Sequence, residues 1–438
     1  MMENIIILIC FILFIYLLLV GHYISSLMFV VGIIGIYLLG GMDLLKGFIQ
    51  NEPFNSVSVY SLTTIPMYIL MAQFIIQAGI IKDLYGLLFR ISRGKSGPLG
   101  IMTIFLGGLL GGVSGSGTAT SAALAQIAVP ELRKRGYSPE LAGTIAACAG
   151  SLSAIIPPSV ILILYGVVAQ ISIGKLFTAA LIPGILLMLI FSVITLVYLR
   201  VYKKEMKLNN STQEQFEENV PVSRYIIVTI LGVSIAVAIF GGIYLGIFSP
   251  TEAGAVGASI AFIMALLLKK VNWSFMQSSL VETVKITVMA MFIVVGASLF
   301  GRFVSLSLVP RKIIDLLQPI IDQPVLILIL IMVFYFFLFM FMESVAVILM
   351  TVPILTPILD VINTDPLWFG ITLTIVCTIG MLTPPVGLSV YVVGSVSGIP
   401  IERLFRVSTV FAVISTIIIV ALLILFPQIV TWLPSQMH

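Results

Sequence analysis

Hydroxyl, glycine and proline residues gather at four short places in an otherwise apolar chain. Ser114, Gly115, Ser116, Gly117 and Thr118 form one run and Glu343-Ser344 another. Further along come two proline pairs, Pro157-Pro158-Ser159 with Ser153 ahead of it, and Thr383-Pro384-Pro385 with Gly380 ahead and Gly387 behind. Proline has no amide hydrogen and clashes with the preceding turn, so a helix carrying a pair inside a membrane unwinds and leaves carbonyl oxygens without partners. Such backbone survives at membrane depth only where protein or a water-filled cavity receives it. The chemistry on offer is binding, through oxygen atoms and free amides. Each pair is followed by the same dipeptide: Phe177 of Leu176-Phe177 lies 20 residues after Pro157, and Phe405 of Leu404-Phe405 lies 21 after Pro384. The chain carries one membrane unit twice, and interrupted segments at matching places in two halves point to a transporter's binding site.

The composition sets the class of element that must hold these residues. Hydrophobic residues make up 60% of the 438 and charged residues 9%, which excludes a water-soluble globule. Barrel strands alternate apolar and polar residues over about ten residues, whereas the apolar runs here last about twenty, so the expectation is an all-α polytopic membrane protein. A net charge of +4 implies no nucleic-acid partner, because the basic residues sit in short clusters between apolar runs. Cys10, Cys148 and Cys377 lie in apolar stretches without metal-like spacing and read as packing residues. The apolar run Ile5 to Val20 follows Glu3 with no Lys or Arg before it, which suits a retained span rather than a cleaved signal.

The one long hydrophilic stretch, residues 200–224, holds Lys203, Lys204, Lys207, Glu214, Glu217 and Glu218 and reads as a cytoplasmic linker between two halves. Residues 1–60 are expected to be N-terminal scaffold spans, 61–199 a first inverted repeat and 225–431 a second. Spans are expected at 4–20, 24–44, 60–88, 177–199, 225–247, 252–268, 283–303 and 407–431. A hairpin at 98–131 and a broken helix at 139–170 complete the first half, and a hairpin at 324–359 and a broken helix at 366–397 the second. The first hairpin has basic flanks on both sides, Arg90, Arg93 and Lys95 before it and Arg133, Lys134 and Arg135 after it. Its arms of about 15 residues would reach roughly 22 Å, short of a ~30 Å hydrocarbon core, so a re-entrant hairpin from the cytoplasm fits better than a full span. The second hairpin turns at Met342-Glu343-Ser344 between flanks carrying Asp315, Asp322, Asp360 and Asp365, which suits entry from outside, although Arg311 and Lys312 oppose this. The walk places Lys269, Lys270, Arg403 and Arg406 inside with the linker, leaves Lys46, Lys175, Arg311 and Lys312 outside, and puts both termini outside. Two hairpins entering from opposite faces make an inverted repeat, the plan of a secondary transporter with alternating access around a midplane site.

Several long motifs then carry a resemblance. Ser114-Gly115-Ser116-Gly117-Thr118-Ala119, Pro130, Gly136-Tyr137 and Ile156-Pro157-Pro158-Ser159 resemble the large membrane subunit of the tripartite ATP-independent periplasmic (TRAP) transporters. Gly242-Ile243-Tyr244, Gly246-Ile247-Phe248-Ser249-Pro250-Thr251-Glu252-Ala253 and Thr383-Pro384-Pro385-Val386-Gly387 are similar to that family's later signatures, so the likeness runs from about residue 4 to 431. The resemblance implies a permease working with a small four-helix membrane subunit, here expected to be a separate chain. It also implies a periplasmic binding protein that delivers an organic acid, and sodium-driven import by an elevator-type motion in the bacterial inner membrane. Where the family often has Asn-x-Glu-Ile-Gly before the second proline pair, this chain has Val376-Cys377-Thr378-Ile379-Gly380, which removes two side-chain contacts but not the backbone break.

Within that frame, a first Na+ is expected at Ser114, Gly115, Ser116, Gly117 and Thr118 with Ser153, Pro157 and Ser159. A second is expected at Glu343 and Ser344 with Gly380, Thr383 and Pro384. Both draw on hydroxyls and unwound carbonyls. The substrate carboxylate is expected near Ser116, Ser159, Ser344, Pro385 and Gly387, where helix N-termini present free amides, with Arg302 as a fixed cation. Close packing alone would account for any single serine or glycine, and the paired occurrence is what favours a site. Glu343 stands apart, since a carboxylate at membrane depth is expensive, whereas Glu252 beside Pro250 reads as a helix cap.

Gly112-Val113-Ser114-Gly115 also fits a pattern of intramembrane serine proteases, but those need a general base, and the only histidines are His22 and the terminal His438, so no enzyme is expected. The alternative is a single-component sodium or proton symporter for carboxylates, with Glu343 as the proton carrier and no binding protein.

Overall fold

The computed structural model describes residues 2–91, 96–202 and 222–437. Arg93, Lys95, Lys203, Lys204, Lys207, Glu214, Glu217 and Glu218, which bear on the expected orientation, lie outside the described residues. Among the described residues the secondary structure is helical throughout. In lipid a helix satisfies its own backbone, and the ends are closed by side chains at the sequence's own punctuation. Leu141 N donates to Ser138 Oγ at 3.2 Å ahead of Pro139, Leu367 N to Asp365 Oδ1 at 2.8 Å ahead of Pro366, and Phe275 N to Asn272 Oδ1 at 2.8 Å. Ser249 and Glu252 form a reciprocal capping box on Pro250–Leu267, so Glu252 serves as a cap.

Among the described residues eight helices are long and apolar enough to cross a membrane, or nine if one bent pair counts as a single span. That pair, Tyr60–Gln77 and Ile80–Leu88, bends by 65° within the span expected at 60–88. Gly79, at φ +74°, adopts a left-handed conformation that ends the first helix and lets the chain turn. Two helices run past their expected ends. Ile24–Val57 continues beyond residue 44 after a kink at Gly41, whose φ is +75°, and Trp273–Leu306 starts ten residues before 283, where Asn272 caps its first turn through Phe275 N.

Four helices pack together as a scaffold layer. Ile24–Val57 crosses Trp273–Leu306 so closely that a Cβ at Gly32 would stand 2.9 Å from the backbone of Leu299 and Phe300, and one at Gly296 would stand 2.6 Å from Ser25 O. Such small-residue crossings are how helices associate where lipid offers no hydrophobic gain. Thr64–Gln77 packs on the same layer, with the Phe74 ring stacked on Phe275 at 5.5 Å and tilted on Phe262 at 5.3 Å, and Thr64 hydrogen-bonded to Thr251 of Pro250–Leu267 at 2.7 Å.

The core of the molecule holds the two hairpins and two broken helices. The first hairpin is Ser96–Ser114 and Gly117–Lys134, and the first broken helix is Pro139–Ser151 and Val160–Val168. The second hairpin is Pro324–Phe341 and Ser344–Val361, and the second broken helix is Pro366–Gly380 and Leu388–Ser397. The broken helices run antiparallel. Gly143, early in the first, faces Val393 and Ile399 at the end of the second, while Tyr165, late in the first, donates to Pro366 O at the start of the second. Both breaks therefore fall at the middle of the bundle. Large apolar side chains such as Ile12, Val193, Phe292 and Phe334 point outward, as a lipid-facing surface requires.

Candidate functional site

The tip of the first hairpin lies directly on the first break. A Cβ at Gly111 would stand 2.5 Å from Ser153 Cα, one at Gly112 would stand 2.7 Å from Pro157 O, and one at Gly115 would stand 3.3 Å from Pro158 O. Gly115 also takes φ +59°, the conformation that turns the first arm into the second. Ser116 caps the second arm, accepting from Ala119 N at 3.4 Å, and its hydroxyl lies 3.2 Å from that of Thr118. Ser114 ends the first arm, and its side chain lies outside the described part. In the break, where Pro157-Pro158 is cis, Ser153 Oγ donates to Gly150 O and Ser159 Oγ to Ala154 O, each at 2.6 Å. Both serines and Pro157 are buried.

The second break repeats the plan with different contacts. Thr383 Oγ1 donates to Gly380 O at 2.7 Å, Pro384-Pro385 is cis, and Ser408 Oγ closes Leu382 O at 2.8 Å. Val386 N donates across to Met340 O of the second hairpin at 3.2 Å, and a Cβ at Gly380 would stand 2.6 Å from Phe339 Cβ. Glu343 caps Ser344–Val361, its Oε2 accepting from Ala346 N at 3.1 Å, and the buried Ser344 lies beside Cys377. Gly387, at φ +42°, is closed over by Thr383 O and the Phe405 ring, and Pro385 is exposed.

The two clusters touch. Gly117, at the first hairpin's tip, meets Met381 of the second break, where an added Cβ would stand 2.9 Å from the methionine methyl. Arg302 is not brought into either cluster. Its guanidinium pairs with Glu52 at 2.6 Å and lies over the Phe48 ring at 5.6 Å, and Ser298 donates to the same carboxylate at 2.9 Å. Glu52 and Phe48 sit on the stretch of Ile24–Val57 beyond residue 44, so the sequence read alone had no helix from which to supply this partner.

Three further side chains lie at or beside the two breaks, and no sequence motif marks them. A cavity of about 430 Å³ opens beside the first tip, with Ser116, Thr118 and Val160 on one wall and Ile69, Gln73 and Ile76 of Thr64–Gln77 on the other. Gln73 is the polar member of an apolar helix face, and the spacing 69, 73, 76 was the signal that could have found it. Ser389, at the second break, and Ser121, packed on Gly150 ahead of the first, have fully buried hydroxyls without a hydrogen-bond partner among the described residues. A buried hydroxyl without a partner calls for an explanation. Among the described residues no three His, Cys, Asp or Glu side chains come together, and apart from the Glu343 carboxylate the oxygens at the two breaks belong to carbonyls and hydroxyls.

Residues 11–429 match the family model described as the DctM component of the tripartite ATP-independent periplasmic transporter. The chain is 30% identical over 389 residues to a sialic acid TRAP transporter large permease protein of Vibrio cholerae, covering 89% of each. It is 31% identical over 383 residues to a C4-dicarboxylate TRAP transporter large permease protein of Pseudomonas aeruginosa, covering 87% of this chain and 86% of the relative. The crystal structure of the Alcanivorax borkumensis YdaH transporter superposes with a TM-score of 0.69 at 14% identity, over 95% of this chain and 97% of that one, which shows a shared fold.

Proposed function

Because the chain belongs to the DctM family of large permease subunits of tripartite ATP-independent periplasmic transporters, we propose that it imports an organic acid released by a periplasmic binding protein, coupled to sodium and by an elevator-type motion. One observation supports the mechanism: two antiparallel helices are each broken beneath a hairpin, and the first hairpin's tip at Gly117 meets the second break at Met381. Relatives are described as carrying sialic acid and C4-dicarboxylates, so the substrate class is an organic anion.

Ser114, Ser116, Thr118, Ser153 and Ser159 with the Pro157 carbonyl would hold one sodium, joined by Ser121. Ser344, Thr383 and the Gly380 and Pro384 carbonyls would hold another, joined by Ser389. Bound sodium supplies positive charge next to the anion and the gradient that drives import. Gly117–Lys134 begins at the cavity, which Thr118 and Ala119 help line, and Val160–Val168 follows the first break, so either N-terminus could receive a carboxylate oxygen, whereas the first turn of Ser344–Val361 is capped by Glu343. Glu343 is occupied as a cap, which argues for sodium rather than proton coupling. The cavity divides its wall between the hairpin-bearing core and the scaffold, the arrangement expected if the core slides against a fixed layer. A small four-helix subunit would extend that layer, and the distribution of basic clusters supports periplasmic termini.

Uptake into proteoliposomes holding this chain and its small subunit tests the proposal. With an inward sodium gradient and the cognate binding protein, acid should accumulate, and omission of either should abolish it. Equal uptake in potassium would overturn the sodium coupling, and uptake of free acid without binding protein would make the chain a single-component symporter.

A further inference from the structure

Gln73 lies in the second half of Thr64–Gln77, a helix otherwise rich in apolar residues and packed within the scaffold. It lines the 430 Å³ cavity with Ile69 and Ile76 of its own helix, and Ser116 and Thr118 of the first hairpin line the same cavity. It is half-buried, and among the described residues no side chain or carbonyl hydrogen-bonds to it. An amide with two N–H donors and one acceptor is costly to hold in apolar surroundings unless a ligand or water meets it. The opposite wall is polar only at Ser116 and Thr118, which belong to the hairpin tip resting on the first break.

We propose that Gln73 is a scaffold-side substrate contact: its N–H donors bind a carboxylate oxygen of the acid while Ser116 and Thr118 hold a second oxygen of the same molecule. This rests on the proposed function and adds to it a residue outside the two breaks. The acid that fits carries a carboxylate at one end and a further hydroxyl, keto or carboxyl oxygen at the other. A molecule held from both walls spans the boundary at which the core slides, so this contact exists in one state of the cycle and tunes affinity there.

The test uses the permease with its small subunit and binding protein in proteoliposomes, with labelled sialic acid, succinate and pyruvate as probes. For the acid that wild-type protein takes up, Gln73→Leu should raise KM at least tenfold with Vmax within about threefold. Gln73→Glu keeps the shape and the acceptor but removes the donors, and should lose uptake altogether. Gln77→Leu, one turn on and exposed, should match wild type. The native cysteines are all buried, so Gln73→Cys provides a separate measurement that does not depend on the leucine variant folding. The thiol introduced by Gln73→Cys should react with the anionic reagent MTSES, and the transported acid should slow that reaction at least fivefold. Wild-type KM in Gln73→Leu, or a Gln73→Cys thiol that the transported acid leaves unprotected, would overturn this inference while leaving the proposed function standing. Wild-type protein that takes up none of the probes, with none protecting the thiol of Gln73→Cys, would overturn both.

Discussion

The Tyr165 hydroxyl donates to the carbonyl of Pro366 at 2.6 Å, joining the end of one broken helix to the beginning of the other. The same ring packs on Gly370, so the two halves are held together by a hydrogen bond and a face of apolar contact at one level of the bundle.

Tyr165→Phe keeps the ring and removes the bond. Interhelical hydrogen bonds of this kind contribute about 0.5–1.5 kcal/mol. Thermal unfolding of the detergent-solubilised protein should shift down by a few degrees, whereas Gly370→Leu, which displaces the ring, should prevent recovery of folded protein. An unchanged midpoint in Tyr165→Phe would mean that the bond is replaced by water.

Gly111 and Gly117 should differ in their tolerance of a methyl group. At Gly111 the added carbon would meet Ser153 backbone at 2.5 Å, which cannot move without shifting the break, and overpacking of this sort costs about 1–3 kcal/mol. At Gly117 it would meet the flexible end of Met381. Uptake should fall more than tenfold in Gly111→Ala and less than threefold in Gly117→Ala, with both inserted normally in the membrane. The reverse order would show that the first tip does not rest on Ser153.

Arg302 provides a check on substrate contact. Its side chain is 53% exposed and paired with Glu52, an arrangement worth about 1 kcal/mol or less after solvent screening. Arg302→Met should leave KM for the transported acid within threefold of wild type. A tenfold rise would return Arg302 to the substrate site.

Ser389→Ala distinguishes a cation ligand from a packing residue by the sign of its effect. If the orphan hydroxyl binds sodium, the half-saturating sodium concentration for uptake should rise about 5- to 20-fold, the equivalent of roughly 1–2 kcal/mol. If it binds nothing, removing a buried unpaired hydroxyl should leave sodium dependence unchanged and raise the unfolding midpoint. Ser415→Ala, whose hydroxyl already donates to Ala412 O, serves as the control.

The distribution of these residues shows what was readable in advance. Apolar length, basic flanks and proline pairs are local properties, and they led to an all-helical membrane protein with breaks at Pro157-Pro158 and Pro384-Pro385 and hairpins ahead of each. Helix ends were less legible where glycine or a cap outweighed hydropathy, as at Gly79, Gly41 and Asn272, because a single backbone conformation or side-chain bond redirects or prolongs a helix without changing its composition.

By itself, then, the sequence determined the class of fold, the repeat and the chemistry available at the breaks, since each follows from residues close together in the chain. Only the tertiary structure decided that Gly117 meets Met381, that Arg302 belongs to Glu52, that Glu343 serves as a cap and that Gln73 and Ser116 line one cavity. Apart from the local Glu343 cap, these are meetings of segments tens to hundreds of residues apart. They depend on how closely glycine-lined helices approach and which faces they turn to each other, and no local spacing encodes that.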